Sequence, residues 1–141
     1  MRSPDPYRVF KFVVEVDGVE IGGFSDVSGL ETKVETDDVR EGGVNDFVHK
    51  IAKHSTYPSL TCKRGITDST RMSDWIATVV GGTVERHTLS VVLMDQQGTE
   101  KWRWSFRDAF PVKWALSELS ATSGNVAVEN VEFAHHGMSK V

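Results

Sequence analysis

A period of two governs most of the chain. Residues 7–16, Tyr-Arg-Val-Phe-Lys-Phe-Val-Val-Glu-Val, are rich in aromatic and β-branched side chains, a composition suited to a pleated, half-buried surface. Asp17-Gly18 follows, and such a pair accepts the positive φ angles of a type I′ turn. A hairpin is therefore predicted, with residues 19–24 returning on 7–16. In residues 99–108 the alternation is sharpest: Glu100, Trp102, Trp104 and Phe106 share one face, and Lys101, Arg103 and Arg107 the other. The Trp face is assigned to the core and the Arg face to water. Residues 84–95 place Leu89, Val91 and Leu93 on one face, and Gln97-Gly98 joins them to the Trp strand as a second hairpin. Residues 126–136 form a last strand, whose apolar positions shift from Val126 and Val128 to Val131 and Phe133. That change of face predicts a bulge near Glu129 and Asn130.

One segment has the other period. Between Asp68 and Gly82, Met72, Trp75, Ile76, Val79 and Val80 make a single apolar stripe, as on an amphipathic helix. Asp68 or Ser69 is the expected N-cap, and Gly81-Gly82 the left-handed C-terminal turn. The expected core thus includes Trp75 and Ile76 from the helix and Trp102, Trp104 and Phe106 from the Trp strand. One helix among about seven strands predicts a mainly β fold, an antiparallel sandwich or barrel with one flanking α-helix over an opening or edge. The chain shows no repeat, linker or low-complexity tract, so residues 1–141 are read as a single domain.

Two segments have little to bury. Residues 30–39 carry only Leu30, Val34 and Val39 as apolar residues. Arg40-Glu41-Gly42-Gly43 turns the chain, and residues 44–51 return as Val-Asn-Asp-Phe-Val-His-Lys-Ile. Together they read as a long polar hairpin. A lone two-stranded hairpin is marginal in water and its open edges invite pairing, so a neighbouring subunit is expected to complete it.

Composition narrows the function. A chain of 141 residues, 39% of them hydrophobic, can bury a core without metal or disulfide help. Sixteen basic against twenty acidic residues give a net charge of −4, where a nucleic-acid grip shows a basic excess. No apolar run exceeds a few residues and the start, Met-Arg-Ser-Pro-Asp-Pro, is polar, so neither a membrane span nor a secretory signal is expected and synthesis is assigned to the cytosol. Cys62 is the only cysteine; it permits no intrachain disulfide or multi-Cys metal site and alternates like a core strand residue.

Charge is segregated along the chain. Residues 15–41 hold nine carboxylates against Lys33 and Arg40, a net of −7, while residues 50–71 hold five cations against Asp68, a net of +4. Two accounts stand open: matching between adjacent strands of one chain, or head-to-tail contact between copies, which makes rings or filaments.

Candidate chemistry is sparse. There is no G-x-S-x-G, Walker loop, H-E-x-x-H or G-x-G-x-x-G. His135 and His136 are adjacent on a strand and point to opposite faces, and Asp37-Asp38 sits in the polar hairpin as a solvated face. Gly22-Gly23 and Gly42-Gly43 precede no helix and read as turn or bulge glycines. Trp102 and Trp104 are core residues or, if exposed, a sugar-stacking platform. No catalytic group, cofactor or metal ligand is assigned.

The order of motifs carries more than any one of them. Asp17-Gly18 closes an aromatic strand; Gly23-Phe24-Ser25-Asp26-Val27-Ser28-Gly29-Leu30, Arg40-Glu41-Gly42-Gly43 and Leu60-Thr61-Cys62-Lys63-Arg64-Gly65 follow, then Trp75 in its helix. Later come Asp95-Gln96-Gln97-Gly98, Trp104 through Trp114, and Val128-Glu129-Asn130-Val131-Glu132 through His136-Gly137. Over residues 7–138 this series resembles the tail-tube family of contractile phages, above all the inner-tube proteins of phage-tail-like contractile injection systems. The resemblance implies a non-enzymatic subunit of hexameric rings stacked into a hollow tube inside a contractile sheath. It also implies hairpins that join between neighbours to line the lumen as one barrel.

The partners so implied are further copies, the sheath, baseplate and tube-terminating proteins, and cargo in the lumen, with no cofactor, specific nucleic acid or stable membrane insertion. On this chain the lumen hairpin and subunit interface fall on Glu31, Lys33, Val34, Glu35, Asp37, Arg40, Glu41, Gly42, Gly43, Phe47, Val48 and Lys50. Ring stacking falls on Asp26, Val27, Leu30, Tyr57, Lys63 and Arg64. Many family members carry Leu-Pro-Gly after the second lumen strand, where this chain has Ile51 through Pro58. The alternatives are a tube-initiator paralogue at the baseplate and, from another class, a carbohydrate-binding β-sandwich module using an exposed Trp102 or Trp104.

Overall fold

The computed structural model describes residues 11–39, 49–67, 69–122, 124 and 126–141. In chain order the elements are β1 (Lys11–Val16), β2 (Val19–Phe24), β3 (Asp26–Ser28), β4 (Lys33–Val39), β5 (His49–Thr56), β6 (Leu60–Gly65), α1 (Arg71–Val80), β7 (His87–Met94), β8 (Glu100–Leu116), β9 (Val128–Ala134) and β10 (Met138–Lys140). Among the described residues, eight strands form one sheet in the order β2-β1-β7-β8-β9-β6-β3, with β10 also on β8. All its pairings are antiparallel. β4 and β5 pair with each other as a separate two-stranded sheet.

The first half of β8 pairs with β7 and β10, and its second half with β9. At the change of partner, Thr88 is opposed by both Arg107 and Asp108, and Asp108 has a φ of 52°. A bulge of this kind bends the strand and sharpens its twist. It lets the β2-β1-β7 layer fold over the β9-β6-β3 layer. The core joins both: Val14, Phe24, Leu89, Val91 and Phe106 from one side pack with Leu60, Cys62, Val131 and Phe133 from the other. Met72 of α1 is buried in the same cluster. Burial pushes the Cys62 thiol up to about 12, so it stays protonated and acts as a small apolar residue.

The local turn signals hold. Asp17 and Gly18 have φ of 50° and 83°, the two positive values of a type I′ turn. At the β7–β8 turn Gly98 has φ 81°, and the Asp95 carboxylate accepts the Gln97 and Thr99 N–H groups at 3.0 and 2.9 Å. Those bonds, that of Thr99 foremost, hold the Asp95 carboxyl below its ordinary range.

The helix is shorter than its apolar stripe predicts. Thr70 holds the N-cap position without a capping side-chain bond, and its hydroxyl donates to Asp74 Oδ2 at 2.9 Å instead. Asp68 lies outside the described residues. Gly82, at φ 97°, supplies the left-handed turn, whereas Gly81 stays right-handed. α1 rests on the sandwich through Met72 and Trp75. Ile76, expected in the core, is therefore only half-buried, and Val80 is 83% exposed.

Three further expectations are corrected. Phe106 is fully buried, but Trp104 and Trp75 are half-buried against the core, and Trp102 is 38% exposed. Trp102 is not a core residue: the Lys140 ammonium stands 4.5 Å from its ring centroid and the Trp104 ring 5.5 Å. Arg103 is not simply wet, because its guanidinium binds both Glu15 and Glu100. No bulge occurs at Glu129 and Asn130, since β9 runs in unbroken register along β6 from Val128 to Phe133. The bulge is across from it on β8, where Val112 is the extra residue between Pro111 and Lys113. The inward positions of β9 are Glu129, Val131 and Phe133, and the apolar pattern looks shifted because the first of them is charged.

Candidate functional site

The part of the molecule with least internal support is the β4–β5 hairpin. Its strands pair antiparallel from Lys33↔Thr56 to Val39↔His49, with an irregularity beyond Val34 that sets Glu35 opposite Lys53 and His54. Val34 is 48% and Ile51 52% exposed, and none of the described hairpin residues belongs to the core cluster. Ion pairs cross or run along it: Lys53 to Asp37 at 3.3 Å, Lys50 to Asp38 at 3.5 Å, Lys33 to Glu35 at 3.7 Å. Pairs so exposed contribute about 0 to 1 kcal/mol each. The described part of the hairpin is therefore held by its backbone ladder, with both faces open to a neighbour.

The base is firmer. Gly29 has φ 93°, and a Cβ there would lie 2.2 Å from the Ser59 carbonyl oxygen, so the two chains leaving the sandwich touch through backbone. Val27 and Leu30 pack against the core. Tyr57 meets the His135 ring at 5.6 Å. His135 Nδ1 accepts the Gly137 N–H at 3.2 Å, which leaves Nε2 to donate to the Pro58 carbonyl at 3.2 Å in the neutral ring. Burial, ahead of the charge on His136, lowers the affinity of this imidazole for a second proton.

Of the expected interface residues, Lys33, Val34, Glu35, Asp37 and Lys50 lie on the hairpin, and Glu31 is exposed just before β4. Arg40, Glu41, Gly42, Gly43, Phe47 and Val48 lie outside the described residues. Asp26, Val27 and Lys63 meet in a cleft of about 550 Å³ beside Phe12 and Thr61, and Leu30 and Tyr57 flank the hairpin base. Arg64, expected at a stacking surface, is corrected: it is buried with its guanidinium on Glu129, so it is unavailable to a second copy. The segregated charge is matched within the chain at two places, where Lys50 and Lys53 of the basic segment pair with Asp38 and Asp37 of the acidic one, while Arg64 pairs with Glu129 outside both.

A second concave surface had no signal in the sequence. Between α1 and the β1–β2 hairpin lies a groove whose polar side is organised by His87, with Nδ1 2.6 Å from Asp17 and Nε2 3.5 Å from Glu85. The residues come from separate elements, so no local motif announces it. Among the described residues no group of three or more His, Cys, Asp or Glu is placed to hold a metal ion.

A closed-up β-sandwich with one flanking helix and a self-standing hairpin defines a tail-tube architecture. Residues 8–139 match the T4-like virus tail tube protein gp19 family, and the chain belongs to that family; it is a structural tube protein. Solved structures agree. A chain of the PVC sheath–tube complex, from an extracellular contractile injection system in its extended state, is 27% identical with a TM-score of 0.83 over 96% of this chain and 91% of that one. A chain of the PVC sheath/tube terminator is 26% identical with a TM-score of 0.85 over 99% of both. A chain of the anti-feeding prophage tube-terminating cap shares the fold, at 22% identity and a TM-score of 0.86 over 100% of this chain and 94% of that one. Among curated proteins nothing matches the chain.

Proposed function

We propose that this chain, as a single domain over residues 1–141, builds the inner tube of a phage-tail-like contractile injection system. Copies close into hexameric rings, and rings stack into a hollow conduit. The observation that carries the reading is the β4–β5 hairpin, a two-stranded sheet whose described residues are mostly polar and exposed and add nothing to the core of the sandwich. Joined edge to edge between copies, such hairpins form a closed barrel; large barrels leave an aqueous channel and no free edge. The role is mechanical and non-enzymatic: stiffness, a path for cargo, and piercing of a target envelope when the sheath contracts.

The partners follow from that role, namely sheath, baseplate and tube-terminating proteins of the same particle. Among the described residues no helix is long and apolar enough to cross a membrane, and the place of action is the assembled particle. Negative-stain microscopy of the purified protein tests the reading. Six-membered rings and tubes are expected; monomers at every concentration would overturn it. Stacks that stop after the first rings would assign the chain to tube initiation at the baseplate.

A further inference from the structure

We propose that the groove between α1 and the β1–β2 hairpin seats a second copy of this chain, docked head to tail. The inference rests on the tube reading and names a surface through which copies meet. The groove has a volume of about 400 Å³. Its floor is apolar, with Val16, Val19 and Ile21 from the hairpin and Met72 and Trp75 from α1. The Trp75 indole N–H already donates to the Glu85 carbonyl at 3.1 Å, so the ring asks no hydrogen bond of an occupant.

The rim is acidic. Asp74 and Glu85 line the groove, and Glu20 lines the cleft that continues from it past Ile21 and Arg71. Arg71 is the one cation of fixed charge among these lining residues, since His87 is engaged by Asp17 and Glu85. An occupant with an apolar stem and a positive end fits best, as a lysine side chain does.

Strand direction indicates which part of a second copy supplies it. Val16, at the end of β1, lines the groove, so Lys11 at the start of β1 lies about 17 Å away along the strand. Lys63 belongs to that far end as well, in a cleft with Phe12 and Asp26. Neither Lys11 nor Lys63 has an ion-pair partner among the described residues. Lys11 and a carboxylate-rimmed groove thus lie at opposite ends of β1, and Lys63 shares the Phe12 cleft at the Lys11 end with its cross-strand neighbour Asp26. Unlike surfaces on opposite ends meet heterologously, and repetition of that contact makes rings or stacks.

Thiol labelling reads the contact directly. Cys62 is fully buried, so maleimide reports on a cysteine introduced at the exposed groove residue Thr78. In assemblies separated from monomer by size exclusion, labelling of Thr78→Cys is expected to slow about tenfold or more relative to the monomer. Reversal of the rim by Asp74→Lys with Glu85→Lys is expected to raise the concentration needed for assembly about tenfold or more, with the circular dichroism spectrum unchanged. Equal labelling in assemblies and monomer overturns the proposal and leaves the tube reading standing, as does unimpaired assembly of the reversed variant. Protection that appears only on adding sheath protein assigns the groove to a different chain and overturns it too. A wild-type protein that never self-associates removes both readings.

Discussion

Arg64 Nε donates to Glu129 Oε2 at 3.0 Å, with both side chains almost wholly buried. The other carboxylate oxygen accepts the Trp114 indole N–H at 2.8 Å. The same guanidinium reaches the terminal strand of the sheet: Nη1 lies 3.5 Å from the Ile21 carbonyl oxygen, and the Arg64 group stands 4.7 Å from the Phe24 ring centroid. Gly22 makes room for it, since a Cβ at that position, at φ 146°, would lie 2.2 Å from Nη1. One ion pair therefore ties β6, β9 and β8 to β2.

Removing one partner leaves the other charge buried and uncompensated, which costs about 3 to 5 kcal/mol. Arg64→Met is expected to lose that much in urea unfolding. The double variant Arg64→Met with Glu129→Leu is expected to recover part of the loss, because an apolar pair needs no desolvation of charge while the Trp114 indole N–H loses its acceptor. A double variant as unstable as the single one would show that the attraction between the charges outweighs their desolvation.

That pair also marks where the sequence stops being legible. The Asp17-Gly18 turn is set by the φ angles of two adjacent residues, so it reads locally. Glu129 has its partner 65 positions away, and a charge at an inward position imitates a change of face. β8 is 17 residues long, but Asp108 at positive φ and Pro111 break its alternation, so only the first half reads as a strand. The hairpin was legible for the opposite reason, because scarcity of apolar residues is a local property. The groove draws on the β1–β2 hairpin, α1 and the segment leading into β7, and only the folded topology assembles it.

The Trp strand separates true core from apparent core. Phe106 is fully buried, and Phe106→Ala is expected to cost about 3 to 5 kcal/mol, as aromatic truncations in cores do. Trp102 lies on the same face but keeps substantial exposure, and Trp102→Ala is expected to cost about 1 kcal/mol or less. Equal losses in urea unfolding would show that Trp102 packs in solution more deeply than its Lys140 and Trp104 contacts indicate.

His135 makes the hairpin base sensitive to acid. Its pKa in the fold is lowered from the ordinary value of 6.5, chiefly by burial. The unfolded chain then binds the proton more readily than the folded one, so this contribution to stability is fully present above about pH 6.5 and is lost as pH falls toward the folded-state value. The thermal midpoint of the wild type is expected to fall more between about pH 7.5 and about pH 5.5 than that of His135→Gln. Parallel decreases would place the acid sensitivity in other groups.

The hairpin itself gives the test that separates folding from assembly. Lys33 and Thr56 are the first cross-strand partners of β4 and β5, so replacing residues 34–55 by Asn-Gly closes the base with a two-residue turn of the type I′ kind. None of the described residues of the excised segment belongs to the core cluster, and its described ion pairs are internal to it or exposed. The shortened chain is therefore expected to keep the β-rich circular dichroism spectrum and a thermal midpoint close to the parent's, yet to run as a monomer on size exclusion. Loss of folding would make the hairpin part of the sandwich's own stability. Rings that persist would move the main contact between copies to the sandwich, where the acidic groove and the Lys11 and Lys63 end are the surfaces left to carry it.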